Sequence, residues 1–206
     1  MISGLVLVII IEGLLSGGDL IPLNTAIEQV VMHTRMPLLT TLLVFITRIG
    51  NPFLLASVAT FLSVLLVTKQ GRLYDATLFM VALIIAMVSL TILKNVFQIT
   101  RPSSDIYTAT GWSFPSGHAT VATTFFFLLS ITYFENMRNF WQRTLLIVGS
   151  VVGTILICFS RLYLGAHWTL DILAGIALGL LSVSFTVLMF NIFISDKRSL
   201  RKMINL

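Results

Sequence analysis

Residues 76–97 read ATLFMVALIIAMVSLTILKNVF, and this run decides the class of fold. It carries no charge before Lys94. As a helix it is long enough to cross roughly 30 Å of hydrocarbon, which takes about 20 apolar residues and at least about 17. Five similar runs lie around it, at 2–21, 52–68, 117–134, 144–160 and 169–194. The first is weakened by Glu12 and by the Gly17-Gly18 pair. Only 10% of the 206 residues are charged and 57% are hydrophobic, with a mean hydropathy of +0.99. Soluble chains carry about 25% charged residues, so too few are present here to cover a water-facing surface. The expectation is all-α: a polytopic membrane helical bundle with six transmembrane helices, one domain over residues 1–206.

The segment between the first two spans reads differently. Residues 38–47 are apolar but too short to cross alone, and Arg48-Ile-Gly-Asn-Pro52 follows as a breaker. Residues 23–47 are therefore expected to form an interfacial, partly buried helical segment leading into the second span. No basic stretch precedes residues 2–15 and no clear cleavage site follows, so the first run is expected to stay as a span.

The net charge of +5 is not gathered into a basic stripe, and a nucleic-acid partner would require one. The cations instead orient the spans. Lys69, Arg72, Arg138, Arg143, Lys197, Arg198, Arg201 and Lys202 lie on one side, against Arg35, Arg48, Arg101 and Arg161 on the other, with Lys94 near a span end. The excess of positive charge marks the cytoplasmic side. Both termini are then cytoplasmic, in a bacterial-type cell membrane, and the loops at 98–116 and 161–168 face outward. Independently of that count, those two loops are separated by two spans and must share a side.

Three outward segments carry the chemistry. In Lys94-Asn-Val-Phe-Gln-Ile-Thr-Arg101-Pro102 the two cations are seven apart, about two helical turns, so a continuing helix would put them on one face. Pro102 predicts helix exit close by. A lysine at a span end also simply snorkels to the headgroups. The second segment, Gly111-Trp-Ser-Phe-Pro115-Ser116-Gly117-His118, directly precedes the fourth run. Ser116 suits an N-cap, and the helix start behind it offers free N–H groups and a positive dipole end, suited to an anion such as phosphate. Gly117 allows close backbone approach. His118 falls in the first turn, placed to donate a proton. The third segment is Ser160-Arg161-Leu-Tyr163-Leu-Gly165-Ala166-His167-Trp168-Thr-Leu-Asp171. His167 and Asp171 are four apart, a helical spacing at which a carboxylate can hold one imidazole nitrogen and leave the other as a nucleophile. The alternative for this pair is a structural contact at a helix end.

Together these segments resemble the signature of the type 2 phosphatidic acid phosphatase family, which shares its fold with vanadium haloperoxidases. That signature is Lys, six residues, Arg-Pro; then Pro-Ser-Gly-His; then Ser-Arg, five residues, His, three residues, Asp. Lys94, Arg101-Pro102, Pro115-Ser116-Gly117-His118, Ser160-Arg161, His167 and Asp171 match every position. The motifs span residues 94–171, and residues 1–75 add little to the likeness.

The resemblance implies an integral membrane lipid phosphatase, working through a phosphohistidine intermediate. His167 would attack phosphorus, Asp171 would orient it, and His118 would protonate the departing oxygen and later activate water. Lys94, Arg101, Arg161, Ser116 and Gly117 would hold the phosphoryl oxygens. No cofactor is implied, and no Asp, Glu, Cys or His cluster points to a metal. Members that look like this act on undecaprenyl diphosphate, phosphatidylglycerol phosphate or phosphatidic acid. The expected partners are a lipid phosphate and the membrane, with no nucleic acid and no obligatory protein. Trp112 and Trp168, near the motif histidines, fit a site at headgroup level, and equally fit anchoring of helix ends.

Three other functions remain as alternatives: a vanadium haloperoxidase-like enzyme, a membrane transporter and a non-catalytic lipid-binding protein. A transporter would spread its charges along a path through the bilayer, whereas here they gather at one face. The other features read as scaffold. Cys158 is a small apolar residue, Gly149-x-x-x-Gly153 and Gly175-x-x-x-Gly179 are helix-packing stripes, and 197–202 is a basic tail for anionic headgroups. His33, the third histidine, is given no role.

Overall fold

A computed structural model describes residues 2–16, 20–104 and 106–204, with side chains described through residue 192 except at 20, 21 and 23. Gly17, Gly18 and the side chains of the basic tail thus lie outside the described residues. Among those described there are eight helices and no strand: α1 (Ile2–Leu15), α2 (Leu20–His33), α3 (Pro37–Ile49), α4 (Pro52–Gln70), α5 (Leu73–Phe97), α6 (Gly117–Phe134), α7 (Phe140–Tyr163) and α8 (Thr169–Ile204).

Five of the six predicted runs become helices long and apolar enough to cross a membrane: Pro52–Gln70, Leu73–Phe97, Gly117–Phe134, Phe140–Tyr163 and Thr169–Ile192. The first run yields α1, of 14 residues, which falls below the length needed for a crossing of its own. The predicted 23–47 segment is two helices rather than one. Pro37 starts α3, and Met36 before it is extended (φ −132°, ψ 143°), as a residue preceding proline tends to be. Asn51 then caps α4, accepting from the amides of Phe53 and Leu54, with Pro52 as the first helical residue.

The bundle buries many small residues beside larger ones such as Phe79, Phe114 and Leu128, and it exposes large apolar residues freely. Ala59, Ala82, Ala86, Ala119, Ala122 and Ala174 are fully buried, whereas Phe61, Ile84, Leu145 and Leu188 are exposed. That arrangement suits a lipid surround, where small residues let helix backbones approach closely and apolar side chains can face outward. α6 is central, packed by α4, α5, α7 and α8. The Gly175/Gly179 stripe makes its contact with α8 possible. A Cβ at Gly175 would lie 2.7 Å from the Ser116 carbonyl oxygen, and one at Gly179 would lie 2.8 Å from that of Thr120. The other predicted stripe is half borne out. A Cβ at Gly153 would lie 2.7 Å from the Phe126 ring, but one at Gly149 would meet nothing within 4 Å. Backbone-to-backbone packing of α6 on α8 sets the start of α6 beside the start of α8, and the Ser116 amide donates to the Asp171 carbonyl at 2.9 Å.

Candidate active site

The three motif segments converge at one end of the bundle. α5 stops at Phe97, where Gln98 takes a left-handed conformation (φ 47°), so Lys94 and Arg101 do not share a helical face. The loop after α5 folds back instead, with the Ser113 amide on the Ile99 carbonyl. Lys94 Nζ and Arg101 Nη2 thereby donate to the same carbonyl, that of Trp112. Arg101 also donates to the carbonyls of Gly111 (2.9 Å), Thr110 (3.0 Å) and Ala166 (2.6 Å). Its Nη1 lies 3.1 Å from His167 Nε2.

That contact defines the state of the imidazole. A guanidinium has only donors, so Nε2 must present its lone pair and Nδ1 must carry the hydrogen. Nδ1 faces Asp171 Oδ2 at 3.4 Å. The distance exceeds a closed hydrogen bond, as catalytic bonds often do before substrate binds. His167 is buried, and burial, followed by the charges of Arg101, Arg161 and Lys94, pushes its pKa well below the usual imidazole range. The ring is neutral, with its Nε2 lone pair facing the Arg101 guanidinium. Burial likewise lowers the Arg101 pKa, with Arg161 adding to the effect, although a guanidinium stays protonated.

His167 itself precedes α8, which begins at Thr169. Its four-residue spacing to Asp171 is closed by a turn rather than by helix. The turn that ends α7 just before His167 is made by Gly165 (φ +64°), where the Ala166 amide returns to the Arg161 carbonyl at 3.0 Å. Asp171, in the first helical turn, accepts from the Trp168 amide at 2.9 Å, the return half of a capping box. The same carboxylate oxygen accepts from Ser113 Oγ.

His118 lies in the first turn of α6, half-buried, close enough to interact electrostatically with His167 and bonded to the Thr47 main chain. Arg161, 2% exposed, donates through Nη1 to Thr47 Oγ1 at 2.9 Å and stacks over the Tyr107 ring with Cζ 4.9 Å from its centroid. Ser116 is buried, and its hydroxyl accepts from the Ala119 amide at 3.5 Å. Gly117 has a packing reason, since a Cβ there would approach Leu90 Cδ2 to 3.3 Å. Trp112 is exposed, whereas the Trp168 indole N–H donates to the Thr100 carbonyl, so Trp168 ties two loops together. His33 is exposed at the end of α2. Among the described residues no group of three His, Cys, Asp or Glu side chains could hold a metal.

Sequence reasoning missed Ser113, Thr47, Tyr107 and Asn24. The Asn24 side chain accepts from the Leu170 amide at 3.2 Å, serving one of the free N–H groups at the start of α8. Ser113 had a signal, being a hydroxyl beside the Pro-Ser-Gly-His motif. Thr47 and Asn24 lie far away in sequence and had none, and Tyr107, in the loop between two motifs, had no spacing to mark it.

The family model described as the PAP2 superfamily matches residues 75–194, more than half of the chain. The chain belongs to the PAP2 superfamily. Among PAP2 relatives it is 29% identical over 173 residues to the undecaprenyl-diphosphatase of Sulfolobus acidocaldarius, covering 81% of this chain and 78% of that one. A shorter match, 40% identical over 67 residues, is to phosphatidylglycerophosphatase B of Haemophilus influenzae, covering 32% and 27%. Its fold is similar to that of a solved transmembrane PAP2-type phosphatidylglycerolphosphate phosphatase from Bacillus subtilis, with a TM-score of 0.76, 22% identity, and coverage of 89% and 92%. The expectation of a lipid phosphatase, a hydrolase in a multi-pass membrane protein, is borne out at the level of PAP2 family and reaction class.

Proposed function

We propose that this single-domain PAP2 chain releases phosphate from a lipid phosphate mono- or diphosphate ester at the outer membrane face, without a metal, through a phosphohistidine. The observation that carries this reading is the His167 contact set, with Nε2 as a lone pair 3.1 Å from Arg101 Nη1 and Nδ1 directed at Asp171. In the first step the Nε2 pair forms a bond to phosphorus while the P–O bond to the lipid breaks. Arg101 moves from Nε2 to a phosphoryl oxygen as substrate enters. His118 gives the leaving oxygen its proton. In the second step His118 takes a proton from water, whose oxygen attacks phosphorus, and the P–N bond electrons return to His167. Lys94, Arg101 and Arg161, with Ser116 and the Gly117 amide, hold the oxygens on which charge gathers.

Undecaprenyl diphosphate is the first substrate to test, because, of two relatives matched over most of both chains, the one with the higher identity, 29% against 25%, bears that name. Phosphatidylglycerol phosphate follows from the shorter match, and phosphatidic acid completes the set. Both termini are assigned to the cytoplasm. α1, too short to cross an undeformed bilayer, is assigned as the sixth crossing with local thinning of the hydrocarbon, supported by its packing along α8, where Gly4 lies against Leu181 and Ile10 joins the cluster with Leu170.

The deciding experiment measures phosphate release from the three lipids by purified protein in detergent with EDTA. Turnover should persist under EDTA, be blocked by vanadate, and fall by about 10⁴-fold or more in His167→Ala. Substantial activity left in a folded His167→Ala protein removes the nucleophile assignment, and vanadate-dependent halide oxidation would favour the haloperoxidase alternative.

A further inference from the structure

We propose that Thr47, on α3 and outside the region matched by the family model, is a positioning residue that holds the Arg161 guanidinium ready for a phosphoryl group. The inference rests on the reading of Arg161 as a phosphate ligand.

Arg161 and Thr47 are 2% and 1% exposed, and they meet at 2.9 Å through Nη1 and Oγ1. A buried cation is ordinarily paired with a carboxylate. Among the described residues no carboxylate lies within ion-pair distance of Arg161, and its Nε has no hydrogen-bond partner. The guanidinium is fixed at one edge by the Thr47 hydroxyl and on one face by the Tyr107 ring, and it keeps a donor in reserve. A tetrahedral oxyanion supplies the missing acceptors and the missing charge.

Thr47 is itself held in place. Toward the start of α3, the Met36 amide donates to the Tyr163 hydroxyl at 2.8 Å and Thr40 Oγ1 lies 3.2 Å from the same oxygen. Beyond its other end, a Cβ at Gly50 would come within 2.6 Å of Ile157, so only glycine allows that approach. α3 is thus clamped onto α7 on both sides of Thr47. Thr41 and Thr68 turn their hydroxyls back onto their own helices at 3.0 and 2.8 Å, whereas Thr47 offers Oγ1 to another helix. Its main chain meets the His118 ring, so one residue touches both the anion-binding arginine and the acid–base histidine.

The test compares purified Thr47→Val, Thr47→Ala, Thr47→Ser, Arg161→Ala and the Thr47→Val/Arg161→Ala double variant. Each is assayed for kcat and KM on the lipid phosphate, for inhibition by orthovanadate and for thermal unfolding. Valine keeps the volume and removes the hydroxyl, and alanine guards against a folding defect specific to valine. Thr47→Val and Thr47→Ala should lower kcat/KM and weaken vanadate inhibition by about tenfold each, the scale of one lost hydrogen bond to a charged group. Thr47→Ser should stay within about twofold of the parent, and Thr47→Val should add less than about twofold when Arg161 is already alanine. Wild-type kinetics in both hydroxyl-free variants, a lowered unfolding temperature with unchanged kinetics, or an undiminished Thr47→Val effect in the double variant would each overturn the proposal. If Arg161→Ala alone were fully active, the phosphate role of Arg161 would fall first and this inference with it. If Arg161→Ala is impaired and Thr47 is silent, only this inference falls.

Discussion

The motif-bearing stretch, residues 94–171, and the amino-terminal stretch, residues 2–49, reach the same end of the bundle by different physical means. In the first, many contacts close over short distances. Arg101 takes the carbonyls of Thr110, Gly111 and Trp112 within eleven residues, and Asp171 takes the Trp168 amide three residues back. In the second, single side chains reach across the whole chain. Asn24 meets Leu170 at a separation of 146 residues, Met36 meets Tyr163 at 127, and Thr47 meets Arg161 at 114. The difference separates reacting groups, which need dense local positioning, from the scaffold, which needs only one well-placed bond per element. A dense cluster should therefore respond to mutation in turnover and an isolated strut in stability, save where, as with Thr47, the strut ends on a side chain assigned to the phosphate.

The largest effect should come from Arg101→Ala, which removes the donor on His167 Nε2 and three ties to the 110–112 loop. A fall in kcat of about 10²–10³-fold is expected, the scale for losing one charge-stabilising donor. A loss below about tenfold would mean that the loop contacts, not the charge, are its main work. Next, Ser113→Ala strips Asp171 Oδ2 of a buried hydroxyl donor. A loss of one bond to a charged acceptor predicts about a tenfold drop in kcat with KM little changed, read in the same assay. If KM rises instead, Ser113 belongs to substrate binding.

The third effect is on pH. His167 is held well below its ordinary range by burial and by three nearby cations, so the folded chain keeps it neutral while the unfolded chain binds a proton near about pH 6.5. Because the unfolded state binds more protons, native stability from this group is complete above that pH and is lost as pH falls, by up to about 1.4 kcal/mol per unit. Unfolding temperatures measured in detergent from about pH 7.5 down to about pH 5 should decline, and His167→Asn should flatten part of that decline. An unchanged slope would place His167 in a more solvated setting. The smallest effect is Asn24→Ala, expected to cost about 1 kcal/mol of stability, as for loss of a helix cap. Turnover should hold within about twofold. A larger loss of kcat would show that the amino-terminal stretch enters the chemistry through more than Thr47.

Much of the site was legible because its residues lie in short, spaced motifs, and Lys94, Arg101, His118, Arg161, His167 and Asp171 do gather at one end. The local reasons were only partly legible. Lys94 and Arg101 converge through a left-handed break at Gln98 rather than along a helix. His167 meets Asp171 across the capped start of α8, where the Trp168 amide returns to the Asp171 carboxylate, rather than within the helix. Spacing compatible with a helix is also compatible with a tight loop, and sequence periodicity does not choose between them. Trp168, read as an interface residue or an anchor of helix ends, ties two loops through its indole N–H. That role depends on where Thr100 lies in space.

Hydropathy, a sum over neighbouring residues, was enough to determine the all-helical membrane class and five of its spans. The motif spacing was enough to name the side chains that gather at one end of the bundle. Only the tertiary structure decided that α3 delivers Thr47 to Arg161 and that Ser113 serves Asp171. It also decided that Gly175 and Gly179 bring α8 onto the backbone of α6. Such pairings are set by which faces meet after the chain has folded, and no stretch of residues read in order contains that information.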